Sequence, residues 1–429
     1  DWNNVVLNGP NNVIDHLDYD YATNGFTGTG ASGTAMDSLR MVGTLSLTAN
    51  GVYLENTTNL SIDNSVISVA GSYGVYAQNA NNSSITNSTI DGTYSEAAIK
   101  MESCLGCTVN NNTMSNNPYR GIWMDQGFNT VITNNTIDAD YYGLYVYNGS
   151  YYNLSSNTIR LHNLQEQSGE TAIYFGSSEY CTINNNHIVS STYHYSGKGI
   201  YNSSSNSQAI INNNTIEIGL TYDSTQCNWY SQSGSSFSPY SIRSIYANDA
   251  QEISSNTIHQ DQYYDGYAIR AYQSSNYNTD LIIENNHIEI FSKYEWDDNS
   301  TAIYTRNSSD YSGTTLIKGN TIEIYNGTNA GIIAGANNNI IDNTISFGER
   351  YAQNCGFSQY NADKLRAIDI DDYDHHIIRG NTITNFAEGI EMSNSTDNIV
   401  DSNSIHTLSS YTTINGSNYD WSNSNYGIY

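Results

Sequence analysis

Ile132-Thr133-Asn134-Asn135-Thr136-Ile137, followed by Gly143-Leu144-Tyr145, holds the reading that decides the fold. An aliphatic, a short polar turn and a second aliphatic make a six-residue phrase. A small residue, an aliphatic and an aromatic make a second phrase. The first returns as Val109-Asn110-Asn111-Asn112-Thr113-Met114 and Leu154-Ser155-Ser156-Asn157-Thr158-Ile159, then from Ile183, Ile211, Ile253, Ile283, Ile317, Ile340, Ile378 and Val400. Earlier copies at Ile62 and Ile85 carry serine in the fourth slot. The second phrase recurs around Tyr53, Tyr76, Trp123, Tyr145, Tyr174, Tyr201, Tyr246 and Tyr304, and again as Gly389-Ile390-Glu391 and Gly427-Ile428-Tyr429. Self-similarity at a period of about 20 to 50 residues marks a repeat architecture. Within each phrase the alternation of apolar and polar positions is that of a strand with one buried face.

The gaps between phrases define a coil. From the aliphatic of the second phrase to the start of the first is ten residues in most copies, as from Val52 to Ile62, Ile99 to Val109 and Leu144 to Leu154. The return gap is elastic: seven residues from Ile137 to Leu144, but 29 from Ile216 to Ile245 and 23 from Ile345 to Ile368. The expected fold is all-β: a right-handed parallel β-helix, a solenoid with loop insertions mainly at one corner. The insertions Leu220–Ser241, Glu289–Thr301 and Ser346–Ala367 are expected to project from one side and to carry partner contacts. Residues 1–50 read as an irregular N-terminal segment with the first coils, and 51–429 as one continuous solenoid. The fourth-slot residues Asn112, Asn135, Asn157, Asn186, Asn214, Asn256, Asn286, Asn320, Asn343, Asn381 and Asn403 are expected to take a left-handed bend and to hydrogen-bond as a ladder. The Tyr slot places Tyr53, Tyr76, Trp123, Tyr145, Tyr174, Tyr201, Tyr246 and Tyr304 in an outward aromatic stripe, which either stacks on itself or meets a partner.

Charge and composition narrow the function. With 42 acidic and 14 basic residues the formal net charge is −28, which repels nucleic acid and anionic membranes. No apolar run reaches the length of a membrane span, so no membrane insertion is expected. The chain opens at Asp1, which reads as a processed terminus, and sequons are dense, with glycosylation candidates at Asn56, Asn87, Asn148, Asn299 and Asn415. An extracellular or cell-surface location follows. Cys104-Leu105-Gly106-Cys107 reads as a local disulfide or two buried thiols, and Cys181, Cys227 and Cys355 allow no pairing to be read.

These phrases, from about Val52 to Tyr429, resemble the parallel β-helix repeats of the pectate-lyase-like superfamily. They look most like its carbohydrate-binding and sugar-hydrolase type, found in bacterial and archaeal surface proteins. The resemblance implies the fold, while lyases, hydrolases, adhesins and inert scaffolds all use it. The polygalacturonase-like phrases Gly-His-Gly and Arg-Ile-Lys do not occur. The nearest constellation is Asp369-Ile370-Asp371-Asp372-Tyr373-Asp374-His375-His376, with Arg379 after it. Asp369 and Glu391 fall in the Tyr slot of adjacent coils, where stacked carboxylates suit solvated charge, a calcium ion or a hydrolase pair. Asp369, Asp371 and Glu391 are therefore the catalytic candidates, and Asp369 and Glu391 the metal candidates. His187 and His287 fill the threonine slot and read as structural.

The sequence thus points to a non-catalytic structural or adhesive surface protein without a cofactor, calcium being the alternative. Its expected partners are glycans and itself. Leu7-Asn8-Gly9-Pro10-Asn11-Asn12-Val13 resembles the phrase that should follow Gly427-Ile428-Tyr429. Head-to-tail stacking into a filament or sheath is the corresponding expectation. The alternative is a secreted polysaccharide hydrolase or lyase acting on the loop-bearing face.

Overall fold

The computed structural model describes residues 5–406 apart from 21–24, 45–49, 93, 117–118, 163–168, 191–196, 206, 220–221, 224–227, 230–241, 263–265, 276–279, 293–299, 308–311, 326–328, 349–364, 372 and 387, together with 411–414, 417–420 and 426–428. All regular structure among the described residues is β-strand, and no helix there is long and apolar enough to cross a membrane. The chain divides into two compact units, one of Asp1–Glu166, Glu170–Ser190 and Tyr201–Ala209, the other of Gln167–Gly169, Ser191–Ile200 and Ile210–Tyr429.

In the first unit three parallel sheets wind into right-handed coils. The second phrase forms the first sheet, and the two halves of the six-residue phrase form the second and third. Registers follow the repeat: Ile99 pairs with Ile122, Val109 with Ile132, and Ile137 with Ile159. Coils begin at Val5–Asn8, which pairs with Phe26–Thr29, and the second sheet already includes Val13–Asp15 and Ala35–Asp37. The inward columns are fully buried: Val75, Ile99, Ile122 and Leu144; Ile85, Val109, Ile132 and Leu154; Ile90, Met114, Ile137 and Ile159. Each such side chain contributes about 1.5–3 kcal/mol relative to exposure, so the repeat of three inward aliphatics per coil is what holds the winding closed.

The second unit uses the same grammar. Ile245, Ile269, Ile303, Ile332, Ile368 and Ile390 fill its first sheet, and Ile211, Ile253, Ile283, Ile317, Ile340 and Ile378 its second. The large insertions all leave between the third and first sheets, after Thr215–Gly219, His287–Ser292 and Thr344–Gly348. The elastic corner is therefore where the gap lengths placed it. Glu289–Ser292, Ser300–Thr301, Ser346–Gly348 and Arg366–Ala367 are strand rather than loop. The bodies of the insertions lie outside the described residues, except for a short antiparallel pair, Tyr222–Asp223 with Asn228–Trp229.

One expectation about the six-residue phrase is corrected. The left-handed residue is the third slot, not the fourth: Asn111, Asn134, Ser156 and Asn185 have φ of 56, 57, 57 and 55°. Where unit two places Gly319 and Gly380 in that slot, their φ values of 62 and 69° are the same turn with no Cβ to strain it. The fourth-slot asparagine is freed to point inward. Asn135 Oδ1 accepts from the backbone N–H of Asn112 at 3.0 Å and from its Nδ2 at 3.1 Å. Asn135 Nδ2 donates to Val109 O at 3.0 Å and to Asn157 Oδ1 at 3.0 Å. Both amide atoms of the buried side chain are thus fully used, which removes the cost of burying them. The ladder runs Asn112–Asn135–Asn157–Asn186 in the first unit. In the second it runs Asn214–Asn256–Asn286–Asn320–Asn343–Asn381–Asn403. Ser88 and Ser65 extend it with hydroxyls: Ser65 N donates to Ser88 Oγ at 3.1 Å.

Candidate binding face

The outward slot of the first sheet in unit one is a continuous column. Tyr53 pairs with Tyr76, Tyr76 with Lys100, Lys100 with Trp123, Trp123 with Tyr145, and Tyr145 with Tyr174. Ring centroids lie 5.1 Å apart for Tyr53–Tyr76, 5.9 Å for Trp123–Tyr145, 4.7 Å for Tyr145–Tyr174 and 5.5 Å for Tyr174–Tyr201. Lys100 fills the one coil between Tyr53 and Tyr174 without a ring in this slot. Its ammonium sits 4.6 Å from the Tyr76 centroid and 4.1 Å from that of Trp123, and 3.2 Å from Glu102. Lys100 was not among the residues expected in the stripe, although the ten-residue gap from Ile99 to Val109 puts it in the Tyr slot.

Beside this column, the Arg120 guanidinium lies 4.4 Å from Trp123 and 5.1 Å from Tyr145, and bonds Glu96 at 3.1 Å. Burial pushes the Tyr73 hydroxyl up to about 12 and raises that of Tyr142 as well. Burial also pushes the Glu102 carboxyl upward, but hydrogen bonds from Tyr76 and Lys100 outweigh it and hold the group below its ordinary value. The rings are half-buried; Tyr145 and Tyr174 stack with planes 11° apart, whereas Trp123 meets Tyr145 edge-on at 84°. Ring pairs contribute about 0.5–1.5 kcal/mol each, and a desolvated cation over a ring about 2 kcal/mol. The column is a packed plate of rings and cations, within which Trp123 Nε1 and Arg120 Nε are buried without a hydrogen-bond partner.

A second aromatic feature lies on the turn from the first sheet to the second. Leu105, Phe128, Tyr151 and Tyr180 are 48, 43, 49 and 41% exposed. Phe128 and Tyr151 meet at 5.2 Å, and Tyr151 and Tyr180 stack at 4.9 Å with planes 8° apart. The left-handed position of this turn is Gly106 in one coil and Asn129 in the next, then Tyr151 and Tyr180, with φ of 58 and 55°. For a bulky residue that conformation costs about 1–2 kcal/mol. Two such residues cost about as much as, or more than, the contacts Phe128–Tyr151 and Tyr151–Tyr180 return. The sequence reading missed this ridge, whose only signal is an aromatic three residues ahead of Leu154 and Ile183.

Unit two carries a different column in the same slot. Tyr246 pairs with Arg270, Arg270 with Tyr304, Tyr304 with Ile333, Ile333 with Asp369, and Asp369 with Glu391. Arg270 lies 5.0 Å from the Tyr246 centroid and 5.7 Å from that of Tyr304. Asp369 and Glu391 do occupy adjacent coils, as their spacing implied. They share a cation the sequence reading did not assign: Arg366 reaches Asp369 at 3.1 Å and Glu388 at 3.0 Å, and also contacts Glu391. Burial raises the Glu391 carboxyl above its ordinary value, and neighbouring Asp369 and Glu388 add to this against the opposing Arg366.

Of the rest of the Asp369–His376 cluster, Asp374 and His376 do not converge on that pair, and Asp372 lies outside the described residues. Asp371 pairs through its backbone with Ser393, and its side chain lies outside the described residues. Asp374 is directed to Thr396, whose hydroxyl donates to it at 2.9 Å. His376 is fully buried on the inner side of the turn, with neither ring nitrogen hydrogen-bonded, and burial pulls it down to about 4. Among the described residues no three His, Cys, Asp or Glu side chains are grouped to hold a metal ion.

Asn56, Asn87 and Asn148 are exposed and left-handed, at φ of 52, 50 and 53°; Asn299 and Asn415 lie outside the described residues. Cys104 and Cys107 form a local disulfide, Cys181 is a buried free thiol, and Cys227 and Cys355 lie outside the described residues. His187 and His287 pair with Thr158 and Thr257 in the third sheet, at repeat positions.

A family model described as "Right handed beta helix region" matches residues 44–216. A comparison with curated proteins finds no match. Among solved structures, a tailspike protein of E. coli bacteriophage HK620 in complex with a pentasaccharide is 11% identical, with 91% of this chain and 72% of that one covered at a TM-score of 0.43. PfbA, a surface adhesin of Streptococcus pneumoniae, is 11% identical over 83% of this chain and 82% of its own, at 0.38. A hyperthermoactive exopolygalacturonase from Thermotoga maritima is 11% identical over 92% and 85%, at 0.34. At such values these likenesses carry nothing about activity. The chain is a right-handed parallel β-helix, matched as such over 44–216 and repeating the same inward aliphatics and asparagine ladder in the coils that follow.

Proposed function

We propose that this protein is an extracellular, non-catalytic β-helix that adheres to glycan-bearing surfaces. The observation that supports this most is the packed aromatic plate of unit one, where Lys100 and Arg120 are held between rings and carboxylates. A rigid, pre-organised surface suits retention of a partner better than turnover. A second reading, polysaccharide hydrolysis, is favoured by one feature: Glu391, inclined to keep its proton, stands beside Asp369 as an acid would beside a nucleophile. One experiment separates the two. The protein is incubated with insoluble and soluble neutral and acidic polysaccharides, with and without calcium, and both retention and new reducing ends are measured. Retention without new reducing ends is the expected result. Release of reducing ends that is lost in Asp369→Ala or Glu391→Ala would replace adhesion with hydrolysis.

A further inference from the structure

We infer that the ridge Leu105–Phe128–Tyr151–Tyr180 on the first turn of unit one is a binding site for an uncharged oligosaccharide. The inference rests on the adhesive reading and names its contact point. Exposure separates this ridge from the neighbouring plate: all four side chains are more than 40% exposed, whereas the rings of the plate are half-buried against one another. An exposed, contiguous apolar strip on a soluble coil marks a contact surface.

The backbone supplies an independent sign. The turn position that holds Gly106 and Asn129 in two coils holds Tyr151 and Tyr180 in the next two, at positive φ. Glycine and asparagine are the residues that this conformation tolerates, and bulky residues kept there cluster at functional sites. The stack of Tyr151 on Tyr180 does not repay the strain of both. Folding alone would favour asparagine at either position, as at Asn129.

The class of ligand follows from the rim. Within two positions of the four ridge residues the only charged residue is Glu179; the others are Ser, Thr, Asn, Gln, Gly, Cys and Tyr. In a chain of net charge −28, an aromatic strip bordered by the uncharged groups of Ser103, Gln126 and Asn153 stands out. Rings and neutral donors match the C–H faces and hydroxyls of a neutral sugar. An anionic ligand would find no counter-charge among these residues and would meet the negative field of the whole chain.

The test uses the full chain and fluorescently labelled gluco-, manno- and galacto-oligosaccharides, with oligogalacturonate as the charged control, read by fluorescence anisotropy. The double variant Tyr151→Asn, Tyr180→Asn takes the residue already found at Asn129. It is expected to lose at least tenfold in affinity while melting at the same or a higher temperature. Phe128→Ser, matching Ser150 in register, is expected to weaken binding as well. A double variant that binds like the parent overturns the inference, and so does one that melts at a lower temperature, because the tyrosines would then be structural. Binding of oligogalacturonate alone, or of none of the probes, also overturns it. The adhesive reading is judged separately, by retention of the same variants on insoluble polysaccharide. Retention that survives in the double variant sinks the ridge and leaves adhesion standing.

Discussion

The outward slot of the first sheet holds rings over most of unit one and carboxylates in the last coils of unit two, yet the inward slot beside it is aliphatic in both. The inner residue is dictated by a close-packed core, which punishes any change of volume. The outer residue is chosen for how neighbouring coils neutralise one another. Each face does so with a cation placed locally: Lys100 and Arg120 among rings, Arg366 among carboxylates. In a chain with only 14 basic residues against 42 acidic ones, these three stand where partly buried groups need a partner.

The contrast can be broken most forcefully at Arg366. Arg366→Gln leaves Asp369, Glu388 and Glu391 without their shared cation and should cost about 4 kcal/mol at neutral pH. The folded Glu391 carboxyl is already raised, so its contribution to stability is complete below its unfolded value and is lost as pH rises through the folded one. The variant should therefore be nearest the parent in acid and furthest from it at pH 7, as followed by denaturant melts across that range. A penalty that does not vary with pH would mean that the carboxylates do not depend on this arginine.

His376 should act in the opposite direction. Burial depresses it from 6.5 to about 4, against the pull of Asp374 and with help from His375, so the unfolded chain takes up the proton first. Stability is then intact above pH 6.5 and falls towards pH 4, by about 3 kcal/mol at the limit. His376→Asn, which copies Asn338 and Asn398 in the neighbouring coils, should flatten the acid limb of the melting profile. If the acid limb is unchanged, the histidine is not its source.

Unit one should respond less strongly. Lys100→Met removes an ammonium held between Tyr76 and Trp123 and should cost about 2 kcal/mol, with Lys100→Arg close to the parent. Equal losses in the methionine and arginine variants would point to shape rather than charge. Tyr145→Leu is the mildest, at about 1.5 kcal/mol, because the leucine keeps much of its apolar contact while losing the ring contacts with Tyr174, Trp123 and Tyr142 and the face near Arg120. A loss well above this in thermal melts would show that the column is more cooperative than its pairs.

Much of the coil was legible from residues alone, because inward aliphatics at fixed gaps reflect a core that admits few alternatives. The elastic corner was legible for the same reason. The first coils were not: in Ala35-Met36-Asp37-Ser38-Leu39-Arg40-Met41 the asparagine is replaced and the phrase no longer matches itself, though Met36, Leu39 and Met41 are buried. The two adjacent asparagines of the phrase were assigned the wrong turn role, since both residues suit bends and only the backbone shows which bends. Lys100 and Arg366 were overlooked because a cation has no periodicity of its own; its place is set by neighbours on other coils. Tyr151 and Tyr180 escaped because nothing in a tyrosine announces a left-handed backbone.

The turn written Asn-Asn-Thr has a consequence beyond folding. The third slot wants asparagine for its left-handed backbone, the fourth wants it for the ladder, and the fifth wants a β-branched residue to open the next strand. Asn111-Asn112-Thr113, Asn134-Asn135-Thr136 and Asn213-Asn214-Thr215 satisfy all three demands, and each is also an acceptor sequence for N-linked sugar. In every one the acceptor asparagine is exposed, while the buried second asparagine is not itself part of the signal. Turns that depart from the ideal, such as Ser156-Asn157-Thr158 and Asn185-Asn186-His187, do not themselves carry the signal. The ideal phrase therefore carries an acceptor sequence with it, and repairing an imperfect turn to Asn-Asn-Thr adds an address that a glycosylating host will read.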